Sequence, residues 1–243
     1  NNKYYDKKIN DITDILKTDL KNGLTNQDAE NRLKLNGLNI IQEKKKVSNI
    51  KKFFSQFNDF MVIVLLFAAV ISFAMSFIEN KNDFADPIII LSIVIANAIM
   101  GFVQENKAEH SIEALKKMTV PTAKVIRNGV LKNIPASELV VGDLINIDLG
   151  DYIPADARLI SCSNLKIDES ALTGESIASE KDFSVVLNSD VLLADRINMV
   201  YCGSFVSYGR GQAIVTATGM QTEIGKIANM IISDEIGRAS CRE

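Results

Sequence analysis

The chain has 243 residues, enough for one or two domains, and a formal net charge of -3. Its basic residues do not gather on an obvious nucleic-acid surface, so we expect no DNA or RNA partner. Its three cysteines form no Cys-x-x-Cys or Cys/His cluster, which disfavours a zinc site or a disulfide framework and favours a reducing compartment. The single histidine, His110, lies among Lys and Glu and is interpreted as a solvated surface residue.

Residues 1–44 are polar and predict two helices, around Ile9–Leu20 and Gln27–Leu35. Thr25 is placed as the N-cap of the second helix, Asp28 stands three residues on in capping-box position, and Gly37 is placed as its stop. The helices carry few apolar residues, so we expect them to pack on a larger body. No apolar signal-peptide core is present at the start, and secretion is not expected.

The positive mean hydropathy of the chain comes mostly from residues 60–103. Phe60–Ile78 carries no charge, and a helix of this length spans roughly 28 Å, close to the ~30 Å of a bilayer's hydrocarbon core. After a short acidic connection, Pro87–Val103 is apolar except for Ser92 and Asn97. The two stretches predict membrane spans at about 60–78 and 87–103, and Asn97 is interpreted as a helix–helix hydrogen-bonding residue.

A charged helical pattern continues the second span to Lys117 as a predicted stalk. Lysines precede the first span and follow the second, whereas the connection carries Lys81 as its one basic residue. The positive-inside rule therefore predicts that both ends of the chain are cytoplasmic and that the connection faces outside.

Beyond Pro121 the pattern changes to short β-branched runs separated by Gly and Asp turns, which predicts a compact β domain of sandwich or distorted jelly-roll type. Asn128-Gly129 between two such runs is a strong hairpin pattern. The predicted strands and the helix that follows them are Ala123–Arg127, Val130–Ile134, Leu144–Leu149, Ala157–Ser161, Val185–Leu187, Met199–Val206, Gln212–Ala217 and the helix Thr222–Ile232.

Within this β domain, Asp168–Ser176 is the stretch with the clearest chemical potential. Gly174 permits a sharp turn and close approach to another surface, so Glu175 can stand at a tip as a base or as an orienter of water. Thr173 and Ser176 can hold the Glu175 rotamer by local hydrogen bonds. The alternative is an ordinary polar turn, because a four-residue match is weak by itself. The aspartates at 143, 151, 156 and 168 are interpreted as loop-fixing residues.

The order of these features resembles the front part of a type II P-type cation-transporting ATPase, most similar to the calcium pumps. The resemblance covers residues 5–234. It rests on stretches that follow the family's order: Gly23-Leu-Thr25, Gly37-Leu-Asn39, Ile95–Gly101 with Gln104-Glu105, Val141-Gly-Asp143, Pro154-Ala-Asp156, Asp168-Glu-Ser170, Leu172–Ser176 and Thr222–Lys226.

The resemblance implies a membrane α+β protein: an N-terminal helical part at 1–44, a transmembrane hairpin with its stalk at 45–119, and a cytoplasmic β-rich actuator domain at 120–234. Residues 235–243 differ in composition and are interpreted as a non-native tail. In such pumps ATP phosphorylates an aspartate in another domain, and the actuator loop drives hydrolysis of that aspartyl phosphate. Carried over, Glu175 would position and deprotonate the attacking water, Thr173 and Gly174 would shape the approach, and Ser176 would support Glu175.

The resemblance also implies Mg²⁺ and ATP as cofactors bound by domains that this sequence does not contain, Ca²⁺ as the transported cation, and the lipid bilayer and those domains as partners. The chain alone is not expected to hydrolyse ATP, and we identify no metal ligand in it. Two alternatives stay open: a sodium, potassium or proton pump of the same superfamily, and a membrane-anchored β module that acts as a scaffold.

Overall fold

The computed structural model describes residues 3–41, 48–78, 85–118, 121–188 and 190–240. The chain divides into two compact units. One joins Asn1–Lys44 with Val120–Glu243, and the other is Lys45–Thr119.

The first unit is built on one antiparallel sheet whose strands follow the order β2-β1-β3-β7-β4-β5, with β6 also paired to β4. The strands are β1 Thr122–Arg127, β2 Val130–Pro135, β3 Leu144–Asp148, β4 Asp156–Asp168, β5 Ser179–Glu180, β6 Met199–Val200 and β7 Phe205–Ala217. Apolar side chains from β1, β3, β4 and β7 form its core. Whether this sheet is a distorted jelly roll stays a prediction.

The predicted hairpin between β1 and β2 is confirmed. The strands pair in register from Arg127 and Val130 outward, and Asn128 and Gly129 form the turn with φ of 52° and 72°. Two successive positive φ values match the right-handed twist of the strands, which is why Asn-Gly is favoured in this turn.

The two longest strands, β4 and β7, lie side by side, and their lengths correct the sequence prediction. The interpretation of Met199–Val206 and Gln212–Ala217 as separate strands is wrong, because β6 ends at Val200 and β7 runs unbroken from Phe205 through both of its glycines. Gly209 has φ of 78°, and a Cβ there would lie 2.3 Å from the carbonyl oxygen of Asn164. This glycine therefore permits close contact between two irregular strands and does not interrupt β7.

The predicted strand Val185–Leu187 is also wrong, since no strand is assigned between β5 and β6 among the residues described there. The carbonyl oxygen of Val185 instead accepts hydrogen bonds from the side chains of Arg158 and Asn198. Side chains thus satisfy a backbone group that a ladder partner would otherwise satisfy.

Two helices near the N-terminus belong to the same unit: α1 Ile9–Leu16 and α2 Asn26–Asn36. Helix α1 ends earlier than predicted, because Lys17 adopts a left-handed conformation with φ of 49°. Ile12 and Leu16 pack against Leu144 of β3 and Ile214 of β7. The predicted cap of α2 is confirmed, since the Thr25 hydroxyl accepts a hydrogen bond from the Asp28 N–H at 3.1 Å.

The second unit consists of helices α3 Asn49–Ser55, α4 Phe60–Ile78 and α5 Ala85–Met118. Helix α4 contacts α5, and the small buried residues Ala69 and Ala98 are among those that let the helices approach. Asn97 is exposed and has no hydrogen-bonding partner among the described residues. The acidic connection lies mostly outside the described residues, as do Lys44 and its neighbours.

One helix in the described part of the chain, Ile88–Ala108 within α5, is long and apolar enough to cross a membrane. A second span is counted only if Lys52–Asn58 and Phe60–Met75 are taken together across their 72° bend. The transmembrane hairpin therefore stays a prediction, whereas the predicted helical continuation of the second span is confirmed by the unbroken helix α5.

The chain ends in helix α7, Glu223–Ser240, which confirms the predicted helix and extends it. Thr222 caps α7: its hydroxyl accepts from the Gly225 N–H and donates to the Gly219 carbonyl. The side chain of His110 and Cys241 lie outside what the structure describes.

Candidate functional site

The connection between β4 and β5 carries the candidate loop. Strand β5 pairs with β4 through Lys166 opposite Glu180 and Ile167 opposite Ser179. The chain thus leaves the sheet after Asp168 and returns at Ser179, and β5 is the last strand of the sheet order. The residues between them project from a sheet edge whose two ends are fixed by strand pairing.

A single helical turn, α6 Ser170–Thr173, begins this connection. The Asp168 carboxylate accepts a hydrogen bond from the Ser170 N–H at 3.0 Å. Hydrogen bonding to the Ser170 side chain, and then to its N–H, holds the pKa of Asp168 below its usual value. The Glu169 carbonyl accepts from the N–H groups of Leu172 and Thr173 and from the Thr173 hydroxyl at 3.1 Å. Asp168 is thereby confirmed as a loop-fixing residue.

Gly174 ends the turn and reverses the chain direction. It adopts φ of 75° and ψ of 0°, and its N–H donates to the Ser170 carbonyl. A Cβ added here would meet no atom within 4 Å, so the left-handed backbone, and not crowding, is what favours glycine at this position.

Glu175 stands exposed directly after this glycine. Its N–H donates to the Thr173 hydroxyl at 3.2 Å, so Thr173 holds the Glu175 backbone. The expectation that Thr173 and Ser176 hold the Glu175 side chain is not met in the described residues, where the side chains of Glu175 and Ser176 make no hydrogen bond. Ile177 follows with 85% of its surface exposed. The four residues Thr173–Ser176 are together, and the Glu175 carboxylate has no partner among the described residues.

Sequence reasoning missed a buried ion pair at the base of the loop. The Lys181 Nζ lies 2.7 Å from the Glu169 carboxylate, and the two side chains are 0% and 3% exposed. Glu169 immediately precedes α6 and Lys181 immediately follows β5. Once β5 is known to pair with β4, the spacing of the two residues would indicate that they meet; from the sequence alone the strand Ser179–Glu180 is too short to recognise.

The other aspartates fix loops, as predicted. Asp143 pairs with Arg127 at 2.6 Å and accepts from the Val140 N–H, and Asp151 accepts from the Asp148 N–H. Asp156 is buried and accepts from two backbone N–H groups, those of Cys202 and Glu223. Burial raises the pKa of Asp156 to about 6.

No cluster of three or more His, Cys, Asp or Glu side chains that could hold a metal is found in the part of the chain that the structure describes. What the loop offers chemically is one solvated carboxylate on a well-anchored projection, which suits a general base acting on a group supplied from elsewhere.

Comparison with known proteins identifies the domain that contains this loop. Residues 117–232 match the model of the P-type ATPase actuator domain, and residues 4–72 match that of the cation transporter/ATPase N-terminus. The chain belongs to the P-type cation-transporting ATPases. These two matches assign the β-sheet unit to the actuator domain and bear out the family that the sequence motifs indicated.

Several calcium pumps are similar to this P-type ATPase chain. Calcium-transporting ATPase 1 of Lactococcus lactis is 42% identical over 231 residues, covering 95% of this chain and 25% of the relative. Calcium-transporting ATPase 1 of Bacillus cereus is 44% identical over 220 residues, covering 89% and 24%. The endoplasmic reticulum-type calcium-transporting ATPase 2 of Arabidopsis thaliana is 40% identical over 225 residues, covering 88% and 21%. The chain thus spans about a quarter of the length of these relatives.

Proposed function

We propose that this chain is the actuator and first membrane part of an ATP-driven pump that transports Ca²⁺, and that Glu175 promotes hydrolysis of the pump's aspartyl phosphate. The observation that carries the proposal is the exposed Glu175 carboxylate on an anchored loop of an actuator domain. The names of the similar pumps support Ca²⁺ as the transported cation.

Hydrolysis of the aspartyl phosphate requires that this loop bring a base next to a water molecule beside the anionic acyl phosphate. The Glu175 carboxylate takes a proton from that water as its oxygen attacks phosphorus, and the phosphoryl group leaves the aspartate. Thr173 and Gly174 set the direction in which Glu175 projects, and Ser176 supports the carboxylate when the loop is docked. Because the Glu175 carboxylate has no partner among the residues that the structure describes, none of their contacts must be broken before it docks.

ATP and Mg²⁺ supply phosphoryl transfer and charge neutralisation, and we place both in domains outside this chain. We further propose that α4 and the apolar part of α5 form a transmembrane hairpin with both ends of the chain in the cytoplasm. The exposed apolar surface of the second unit and the lysines on either side of the spans support this arrangement.

The test is Glu175→Gln in the full-length pump, with Glu180→Gln as the matched control. Both changes remove one exposed carboxylate, but Glu180 lies in β5 and not at the tip. Phosphoenzyme should form from labelled ATP at the normal rate in both. Its decay after a chase with unlabelled ATP should slow about a hundredfold or more in Glu175→Gln alone, because general-base catalysis contributes roughly 10²–10⁴-fold. Normal decay in Glu175→Gln would refute the assignment.

The choice among cations is tested on the same protein. Ca²⁺ should stimulate ATP hydrolysis and be transported into sealed vesicles, whereas Na⁺, K⁺ and a proton gradient should not replace it. Stimulation by Na⁺ or K⁺ without Ca²⁺ would favour the alternative pump. Absence of any phosphoenzyme would favour the scaffold.

A further inference from the structure

Glu169 and Lys181 lie beneath the Glu175 loop, one at each end of it. Their charged groups are 2.7 Å apart with side chains 3% and 0% exposed. Among the described residues neither charged group has another hydrogen-bonding partner. A buried ion pair of this kind contributes little net stability over apolar residues, since desolvation offsets most of the attraction. Its presence here therefore calls for a role other than general stabilisation of the fold.

The positions of the two residues indicate that role. Glu169 supplies the carbonyl on which α6 is built, accepting from the N–H groups of Leu172 and Thr173 and from the Thr173 hydroxyl. Thr173 in turn accepts from the Glu175 N–H. A continuous series of contacts thus runs from the ammonium of Lys181 through Glu169 and Thr173 to the backbone of Glu175.

The return side of the loop has little other support. Strand β5 has two residues and joins the sheet through β4 alone. The Lys181 N–H donates to the Leu165 carbonyl at 2.9 Å, which places the Lys181 backbone against β4 next to that strand. The ion pair then ties this end to the residue that starts α6. The ion pair is thus a buried contact between the two ends of the loop, in addition to the short β4–β5 ladder.

We propose that Glu169 and Lys181 are positioning residues for phosphoenzyme hydrolysis, whose buried ion pair holds the direction in which the Glu175 loop projects. The inference rests on the proposed role of Glu175. It adds that the orientation of the loop is set by two residues that do not contact the phosphate. Glu169→Gln or Lys181→Met removes the ion pair at the base of the loop. The Glu175 carboxylate then spends less time in the position from which it can take a proton from the attacking water.

The environment of the pair supports this dependence. Burial raises the pKa of the Glu169 carboxyl and lowers that of the Lys181 ammonium, and each partner acts against the shift of the other. Removing one partner leaves the other with burial alone, which favours its neutral form. The remaining side chain then loses the attraction that fixed its position.

The chain offers a matched control. Lys166 and Glu180 face each other on the same two strands, 3.9 Å apart, with side chains 46% and 74% exposed. An exposed pair of this kind adds little to stability, because solvent screens the attraction between the charges. Glu180→Gln and Lys166→Met therefore make the same chemical changes one residue from Lys181 and three residues from Glu169, without altering the buried pair.

The experiment measures phosphoenzyme formation and decay in the full-length pump for Glu169→Gln, Lys181→Met, their double variant, the two control variants and Glu175→Gln. Formation should be normal in all. Decay should slow about ten- to a hundredfold in the two buried single variants, because a misplacement of about 1 Å costs on the order of a hundredfold. It should stay normal in both controls. The double variant should be no slower than the slower single variant, since both act through one contact.

Each outcome separates this inference from the role of Glu175. Slow decay in Glu175→Gln with normal decay in Glu169→Gln and Lys181→Met overturns the positioning role alone. Normal decay in Glu175→Gln overturns the proposed function itself. Multiplying effects in the double variant also overturn a shared contact. Where a neutral variant does not fold, Glu169→Asp keeps the charge and shortens the side chain: slowed decay with normal formation supports the inference, and normal decay overturns it.

Discussion

At the tip of the loop, Gly174 contributes through its backbone conformation and Glu175 through its side chain. Gly174 supplies a left-handed turn that no neighbouring atom enforces by crowding, and Glu175 supplies a carboxylate that no described residue holds. The direction of the carboxylate therefore depends on backbone geometry. A substitution that alters the preferred φ at 174 should act on hydrolysis without removing any contact.

We expect Gly174→Ala to slow phosphoenzyme decay about fivefold. A non-glycine residue in the left-handed region raises the conformational energy by roughly 1–2 kcal/mol. The loop relieves part of this strain by changing its backbone angles at residue 174, which changes the direction in which Glu175 projects. About 1 kcal/mol of misdirection corresponds to about fivefold in rate. The measurement is decay of labelled phosphoenzyme in the full-length pump after an ATP chase.

Gly37→Ala is the control for this substitution. Gly37 also has positive φ, 77°, and space for a Cβ, but it ends α2. It should lower the melting temperature at least as much as Gly174→Ala and leave decay unchanged. Equal slowing in both variants would show that general loss of stability, and not the aim of the loop, controls the rate.

At this scale the sequence indicates some residues and misses others for a physical reason. The roles of Gly174 and Thr25 are local, because a turn and a cap are settled within a few residues, and the structure places both as turn and cap. Glu169 and Lys181 meet only because β5 returns the chain to β4, and a two-residue strand leaves no periodic pattern. The contact between these two residues therefore depends on tertiary structure and cannot be read from the local sequence.

Strands β4 and β7 are the elements that the rest of the actuator sheet depends on. Each has 13 residues, and their pairing passes through several irregularities. The sequence pattern predicts that one strand ends at Val206 and another begins at Gln212, but Gly209 and Gly211 lie within β7, close to the backbone of β4. Local propensity therefore predicted the ends of β7 wrongly, since the close approach that favours glycine is set by the neighbouring strand.

Arg158 on β4 connects this pair of strands to the segment between β5 and β6. It is buried, and its guanidinium donates to four carbonyls: those of Leu159, Phe183, Val185 and Asn198. Burial lowers its pKa to about 10, so it stays protonated at neutral pH. The Arg158 side chain thus supplies the hydrogen bonds that a neighbouring strand would otherwise supply to this segment, whose described residues form no strand.

Arg158→Met should destabilise this segment and the sheet by about 2–4 kcal/mol, because it leaves buried carbonyls without a donor. Arg210→Met on exposed β7 surface should change stability by less than about 0.5 kcal/mol. Thermal unfolding of the detergent-solubilised chain gives the global effect, and hydrogen exchange at Phe183 and Val185 gives the local one. Equal melting temperatures for both variants would contradict the role of Arg158.

The whole molecule combines an actuator sheet with a unit that is largely apolar on its outside. Helix α5 has 34 residues and is therefore about 50 Å long, against about 30 Å for the hydrocarbon core of a bilayer. Only its first part, Ile88–Ala108, is apolar enough to lie in lipid. The remaining residues up to Met118 carry charges, so under the proposed topology this end of the helix lies outside the hydrocarbon core.

The proposed topology rests on the lysines on either side of the predicted spans, and cysteine labelling tests it. We replace the three cysteines of this chain with alanine and introduce a single cysteine at one of two positions. These are Asn82, in the connection between the predicted spans, and Asn128, at the exposed tip of the β1–β2 hairpin. A membrane-impermeant maleimide should label Asn82→Cys in intact cells and Asn128→Cys only after permeabilisation, because translocating the lysine-rich flanks is disfavoured. Labelling of Asn128→Cys in intact cells would place the actuator outside, where it could not meet a cytoplasmic phosphoenzyme, and would contradict the topology and the proposed function together.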